Sequence, residues 1–279
     1  MKSYVLVTGA TGGLGKAFVA ECASRGWDLC LTDLREHALE ALAAGTERMY
    51  NVHVLTRAGD LTDAASREAL WRYVHDSGTR FHMLINVAGT DFEGGFVDRH
   101  LEELRTILRL NIEGTVEMTH RVLAYRDRTR PLRIINVSSL AGFYPMPLKA
   151  VYAASKRFLL DFSVALNQEL RAGDVTVTAL CPAGMPTTPD CVQKIQAQGL
   201  MGQMTTMNVG KVAHETINAA LAGRSIVVPG WVNQIISSLG GLLPAPVVAA
   251  VIERRWRRAR ASLTPGGARP LAVRAPESV

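Results

Sequence analysis

No apolar stretch free of charge reaches the ~18 residues needed to cross a bilayer as a helix. Cysteine is scarce too: Cys22, Cys30, Cys181 and Cys191 are the only four, and none is paired by spacing. The first absence excludes a helical membrane span. The second excludes a disulfide framework and suits a reducing cytoplasm, with Cys30 and Cys181 expected as inert, buried small hydrophobes. Seven histidines lie scattered without metal-ligand spacing, so no metal is expected. The net charge of +6 comes with no nucleic-acid reader motif. Met1 leads directly into an apolar run, which leaves no room for a leader peptide and points to a cytoplasmic location.

What the chain does have is length for a large core, with 48% hydrophobic residues among 279. Short apolar runs alternate with helical patterns along most of it. Strands are expected at 4–7, 27–33, 52–56, 82–86, 132–138, 175–181 and 225–228. Helices are expected at 16–25, from 36, and at 64–76, 101–126, 151–171 and 209–222. Apolar strands alternating with helices imply an α/β fold, a doubly wound parallel sheet with helices on both faces.

The first strand runs into Thr8-Gly9-Ala10-Thr11-Gly12-Gly13-Leu14-Gly15, and a helix opens directly behind it. A strand, a glycine-rich turn and a helix N-terminus set backbone N–H groups and a helix dipole against a pyrophosphate. Thr11, Gly13, Leu14 and Gly15 are therefore candidate cofactor contacts, along with Gly9. A plain strand-to-helix link is the other reading of such a turn. The second strand ends in Asp33, where a carboxylate can accept both hydroxyls of an adenosine ribose and repel a 2′-phosphate. This favours NAD over NADP. Arg35, two residues on, can swing toward a 2′-phosphate, and a helix-capping role for Asp33 also stays open.

Tyr152 and Lys156 are four residues apart in a helical pattern, so both point at one spot. A phenol ordinarily titrates near ~10. A neighbouring ammonium stabilises the phenolate and brings the group toward a working range for general acid–base chemistry. Ser139, thirteen residues before Tyr152, can hydrogen-bond the oxygen of an alcohol or carbonyl substrate.

These motifs, in this order, make residues 1–230 resemble the short-chain dehydrogenase/reductase family, in its single-domain branch. The resemblance implies a Rossmann-type sheet of seven strands in the order 3-2-1-4-5-6-7. It implies a glycine motif on Thr8, Gly9, Gly13 and Gly15, an adenine-contacting pair at Asp60-Leu61, and a strand-ending stretch at Asn86-Val87-Ala88-Gly89. It also implies a catalytic tetrad of Asn111, Ser139, Tyr152 and Lys156, and a nicotinamide-side turn at Pro182-Ala183-Gly184-Met185-Pro186-Thr187. Dinucleotide contacts are accordingly expected from Asp60, Leu61, Asn86, Ala88, Gly89, Pro182, Gly184, Met185 and Thr187, and from Tyr152 and Lys156. Two positions depart from the pattern. Val87 replaces an asparagine, and Ala183 stands where glycine is usual. Because Gly12 and Gly13 are adjacent, the glycines also fit the spacing of a longer epimerase and dehydratase branch, although little chain remains for that branch's substrate domain.

In the family, the stretch at 183–208 is a lid over the substrate. Here it holds Met185, Met201, Met204, Met207, Ile195 and Leu200, a soft apolar wall or an ordinary core contact. Phe143, Tyr144, Pro145, Met146 and Leu148 extend the apolar character, favouring a hydrophobic carbonyl or secondary alcohol. Beyond residue 230, two apolar helical segments at 231–243 and 245–263 form a C-terminal extension, and 264–279 reads as a disordered tail. The second segment ends in Arg254, Arg255, Arg257, Arg258 and Arg260 around Trp256. Such a cluster suits an interfacial helix on anionic lipid, a solvated helix end or a subunit interface. The expectation is an NAD(P)-dependent oxidoreductase that pairs as a homodimer or homotetramer. The alternatives are an idle NAD-binding regulator and an epimerase or dehydratase.

Overall fold

The computed structural model describes residues 2–185, 206–240 and 244–263. Seven parallel strands form one sheet: β1 (Ser3–Thr8), β2 (Asp28–Thr32), β3 (Val54–Thr56), β4 (Arg80–Asn86), β5 (Leu132–Val137), β6 (Val175–Leu180) and β7 (Ile226–Val227). Their order is β3-β2-β1-β4-β5-β6-β7, as the resemblance implied.

The central strands are buried on both sides, which explains why they read as near-continuous apolar runs rather than alternating ones. Val5 and Val7 of β1 face helices α1 (Gly13–Ser24), α2 (Glu36–Tyr50) and α7 (Val209–Leu221), meeting Phe18, Leu39 and Ile217 in one core. Tyr4 and Leu6 face the other side, with Trp71 of α3 (Ala64–Asp76) and Met118 of α5 (Thr115–Val122). Local chemistry starts and stops these helices. Asp63 caps α3 by accepting from the Ser66 amide at 2.9 Å, and Asn51 ends α2 in the left-handed conformation, φ 52°.

The expected helix at 101–126 is not continuous. It begins as α4 (Leu101–Ile107), widens into a π-helical stretch at Leu108–Gly114, and resumes as α5. The long helix α6 (Ala150–Leu170) follows β5, and α8 (Trp231–Gly240) and α9 (Ala245–Leu263) complete the described chain. Residues 241–243, expected as helix, lie outside the described residues, as do Cys191, most of the lid segment and the tail. Among the described residues, no helix is long and apolar enough to cross a membrane.

Sheet register explains where a site must form. Thr32, Thr8, Asn86, Asn136 and Ala179 lie side by side across β2, β1, β4, β5 and β6. Each strand ends at or just past this row. The chain reverses its winding between β1 and β4, so a crevice opens at those ends.

Candidate active site

The glycine turn fits a bound pyrophosphate. Gly9 has φ +64° and lies against the end of β4, where an added Cβ would come within 2.7 Å of the Ala88 nitrogen. A Cβ on Gly15 would sit 2.1 Å from the Gly9 carbonyl oxygen. Both are collisions with backbone, so only glycine allows the turn to close. Gly12 is more permissive, since its Cβ would meet the Gly9 oxygen at 3.4 Å. The need therefore falls on Gly9 and Gly15, which both readings of the glycine spacing share. Helix α1 starts at Gly13 with Gly12 as a cap that makes no side-chain bond, and its first turn, which includes Leu14, holds no acidic residue. The helix N-terminus is left to an anion.

Thr11 ties this loop to the end of the second strand. Its amide donates to Asp33 Oδ2 at 2.9 Å, and its hydroxyl accepts from Arg35 at 2.6 Å. Asp33 is buried, which pushes its carboxyl upward, but the Thr11 hydroxyl and amide, the Arg35 amide and the Arg35 charge outweigh this and hold it below its ordinary value. The cap of α2 is Arg35, without a side-chain bond, so Asp33 is not a helix cap. On the adenosine side, Asp60 Oδ1 accepts from the amide and hydroxyl of Thr62, each at 2.8 Å. Leu61 is buried, and its carbonyl accepts from Arg67 at 2.8 Å. Arg67 is only 2% exposed and pairs with Glu117 at 2.5 Å and with Glu113.

Of the residues expected to handle the proton, Tyr152, Lys156 and Asn111 lie together. Tyr152 and Lys156 share a face of α6, with the ammonium 5.7 Å from the phenol ring centroid. Lys156 is 4% exposed and donates to the Val137 carbonyl at 2.8 Å. Burial pushes its ammonium down to about 8, with Asp91 opposing. Gly89 lies between two tetrad members: a Cβ there would be 3.1 Å from Asn111 Oδ1 and 3.3 Å from Lys156 Nζ. Asn111, fully buried in the π-helical stretch, accepts from the Thr90 amide at 2.8 Å and donates to the Thr90 carbonyl at 3.0 Å. It also donates to the Ser155 hydroxyl at 3.1 Å, which donates to the Tyr152 carbonyl at 2.7 Å. Ser139 is half-buried and caps the short turn Leu140–Phe143, accepting from the Ala141 amide at 3.1 Å. The neighbouring Ser138 is buried and donates to the Lys156 carbonyl, so it braces α6 instead of facing the crevice.

Other expected contacts sort by geometry. Ala88 and Val87 lend their amides to Thr8 Oγ1 at 3.2 and 3.1 Å, and the Val87 side chain packs on the apolar core. Asn86 turns its side chain away from the crevice. It donates to Thr119 at 3.1 Å and to Asn136 at 2.9 Å, and Asn136 donates on to Ser163 at 3.0 Å. Pro182 is buried and accepts from the Leu140 amide at 2.8 Å, linking the turn after β6 to the serine turn. Gly184 is exposed, and Met185 packs with Met207 against the core. Thr187, Met201, Met204, Ile195 and Leu200 lie outside the described residues.

Some neighbours of the site were not anticipated. Lys149, at the start of α6, lies 5.6 Å from the Tyr152 ring centroid and pairs with Asp91. Its spacing of three from Tyr152 was a readable signal, since i and i+3 share a helix face.

The model of the short chain dehydrogenase family matches residues 3–198. A very-long-chain 3-oxoacyl-CoA reductase of Laccaria bicolor is 32% identical over 64% of this chain and 53% of its own, so this chain spans about half of that relative's length. Sulfoacetaldehyde reductase 2 of Chromohalobacter salexigens is 35% identical over 67% of this chain and 74% of its own. The solved short-chain dehydrogenase of Sphingobium yanoikuyae, in complex with NADPH, superposes with a TM-score of 0.72 at 27% identity, covering 86% of this chain and 94% of that one.

Proposed function

Because this chain belongs to the short-chain dehydrogenase family of oxidoreductases, we propose that it interconverts a secondary alcohol and a ketone on a hydrophobic substrate, using NAD in preference to NADP. The observation that carries the reading is that Asn111 and Lys156 meet beside Gly89, with the Lys156 ammonium 5.7 Å from the Tyr152 ring centroid. Gly9, Gly13, Leu14 and Gly15 would hold the pyrophosphate, Asp33 the adenosine ribose, and Asp60 and Leu61 the adenine side. Hydride is what the dinucleotide contributes when bound. Every proton is handled by the chain.

In this mechanism the Tyr152 hydroxyl exchanges a proton with the substrate oxygen while the Ser139 hydroxyl orients and polarises that oxygen. The Lys156 ammonium favours the phenolate and would hold the nicotinamide ribose of a bound dinucleotide. Asn111 holds the Thr90 backbone and, through Ser155, the first turn of α6, so the phenol is presented at a fixed height. A low-dielectric surround strengthens each of these interactions. The long-acyl reductase among the relatives supports a hydrophobic substrate, while Phe143, Met185 and Met207 pack against the core.

Tyr152→Phe tests the reading. Dinucleotide binding should persist while kcat falls by about a hundred- to ten-thousand-fold, the usual worth of a general acid. A screen of secondary alcohols and ketones with NADH and NADPH would supply the substrate. Net change in NADH absorbance separates a dehydrogenase from an epimerase or dehydratase, and from an idle binder.

A second element of the reading concerns surfaces. Trp231, Ile235, Val247 and Val251 are exposed on α8 and α9, followed by the arginines of the same helix. These residues support peripheral contact with anionic lipid. Leu101, Leu108, Phe158 and Val164, exposed on and beside α4 and α6, support pairing with a second copy. Flotation with phosphatidylglycerol vesicles and sedimentation analysis test the two separately.

A further inference from the structure

Lys149 joins three parts of the chain that are far apart in sequence. Its ammonium is 5.6 Å from the Tyr152 ring centroid and 5.4 Å from that of Trp256, on α9. Asp91, on the loop after β4, pairs with it directly, and Glu93 Oε2 lies 3.5 Å away. The lysine side chain is 14% exposed, so this is no solvated surface pair. The backbone around it is held as well. Leu148 adopts φ +68°, a conformation uncommon for a branched side chain, and its carbonyl accepts from the Gly94 amide at 2.9 Å. That bond ties the loop of Asp91 and Glu93 to the start of α6.

Helix α9 has two faces. Val248 is buried, and Ile252 and Trp256 continue the same row at intervals of four, both half-buried. Val247 and Val251 are exposed on the other side. Trp256 is the last described side chain of the inner row, and the cation it meets is the one over the tyrosine ring. Aromatic faces attract ammonium ions at such distances, more strongly when water is excluded.

We propose that Lys149 is a positioning residue that docks the C-terminal helix, through Trp256, onto the rim of the active site and at the same time supports the Tyr152 phenolate. The charged groups beside that phenol are Lys156 of α6 and Lys149 just before it, the latter paired with Asp91 and Glu93 of the loop after β4. Removing Lys149 therefore takes away one of two cations and the ammonium that pairs with Asp91. Through Lys149, Trp256 would then hold a place on the rim beside Tyr152, where a substrate would meet it. The part concerning Tyr152 rests on the oxidoreductase reading above, and the docking of α9 does not.

Amide hydrogen exchange across 245–256 tests the docking without any turnover. Lys149→Met and Trp256→Ala should each speed exchange there by about tenfold, while Lys149→Arg and Trp256→Phe, which keep the cation and the ring, stay near wild type. With a ketone from the screen, Trp256→Ala should raise KM about tenfold at nearly unchanged kcat. Lys149→Met should in addition move the kcat/KM profile up by roughly half a pH unit, since a lost cation disfavours phenolate. Unchanged exchange in both Lys149→Met and Trp256→Ala overturns the docking. If Lys149→Met does not fold, the two Trp256 variants decide by the same measurement. A wild type that turns over no carbonyl overturns the oxidoreductase reading and leaves the exchange result standing.

Discussion

The amide of Thr11 donates to the carboxylate of Asp33 across 2.9 Å, so the glycine turn and the end of β2 share one anion. Arg35 reaches the same carboxylate at 3.5 Å and the Thr11 hydroxyl at 2.6 Å. Asp33→Asn keeps the shape and removes the charge that repels a 2′-phosphate while leaving Arg35 in place. The ratio of kcat/KM with NADPH to that with NADH should rise by about ten- to a hundredfold, the worth of one charged hydrogen bond. Arg35→Ala should move the ratio the other way. An unchanged ratio in Asp33→Asn would remove Asp33 from cofactor selection.

Gly12 and Gly15 are separated by their surroundings. A methyl on Gly15 strikes the Gly9 carbonyl, which cannot move without unseating the turn against Ala88. Gly15→Ala should abolish dinucleotide binding, or folding of the first βαβ unit, whereas Gly12→Ala should stay within about threefold of wild-type affinity. Calorimetric titration with NADH reads both. Equal losses would mean the turn is not closed as described.

Lys156 is cationic only up to about pH 8, because its burial disfavours the charge. Turnover that needs the ammonium should therefore decline as pH rises past about 8. Stability should respond in the opposite sense. Between that pH and the lysine's ordinary 10.5, the unfolded chain holds a proton the folded one has released, so this group favours the fold increasingly as pH climbs. Activity lost while melting temperature holds or rises would match; the two falling together would not.

His82 behaves similarly at the acid end. Its Nδ1 lies 3.1 Å from the Ser3 hydroxyl, and its ring packs edge-on to Trp27. Burial pushes it down from 6.5 to about 4, with Arg130 acting the same way and Asp127 opposing. The unfolded chain takes up a proton in that window that the native one refuses, so stability falls as pH drops through it, by roughly 3 kcal/mol in all. Urea midpoints at pH 7 and pH 4 should differ less in His82→Gln than in wild type.

Much of the site is legible in the sequence, because its signals are local. Tyr152 and Lys156 declare themselves by helical spacing, and the glycine turn by its place between strand and helix. The π-helical stretch around Asn111 is not legible: one more residue per turn leaves the apolar pattern of 101–126 looking like a single helix. The side-chain partners of Asn86 are not legible either, since Thr119 and Asn136 come from other elements. Lys149 looks like a solvated helix start until tertiary structure brings Asp91, Glu93 and Trp256 to it. Pairings of that kind depend on folding and leave no periodic trace.

Arg67 carries a consequence for anyone altering this enzyme. Its guanidinium grips the Leu61 carbonyl on one flank and, through Glu113, the stretch that bears Asn111 on the other. Under the proposed placing of the adenosine at Asp60 and Leu61, reshaping that turn for a different dinucleotide would thus tug on the stretch that bears Asn111. Retuned cofactor choice and altered turnover should arrive together, even from changes made well away from the phenol.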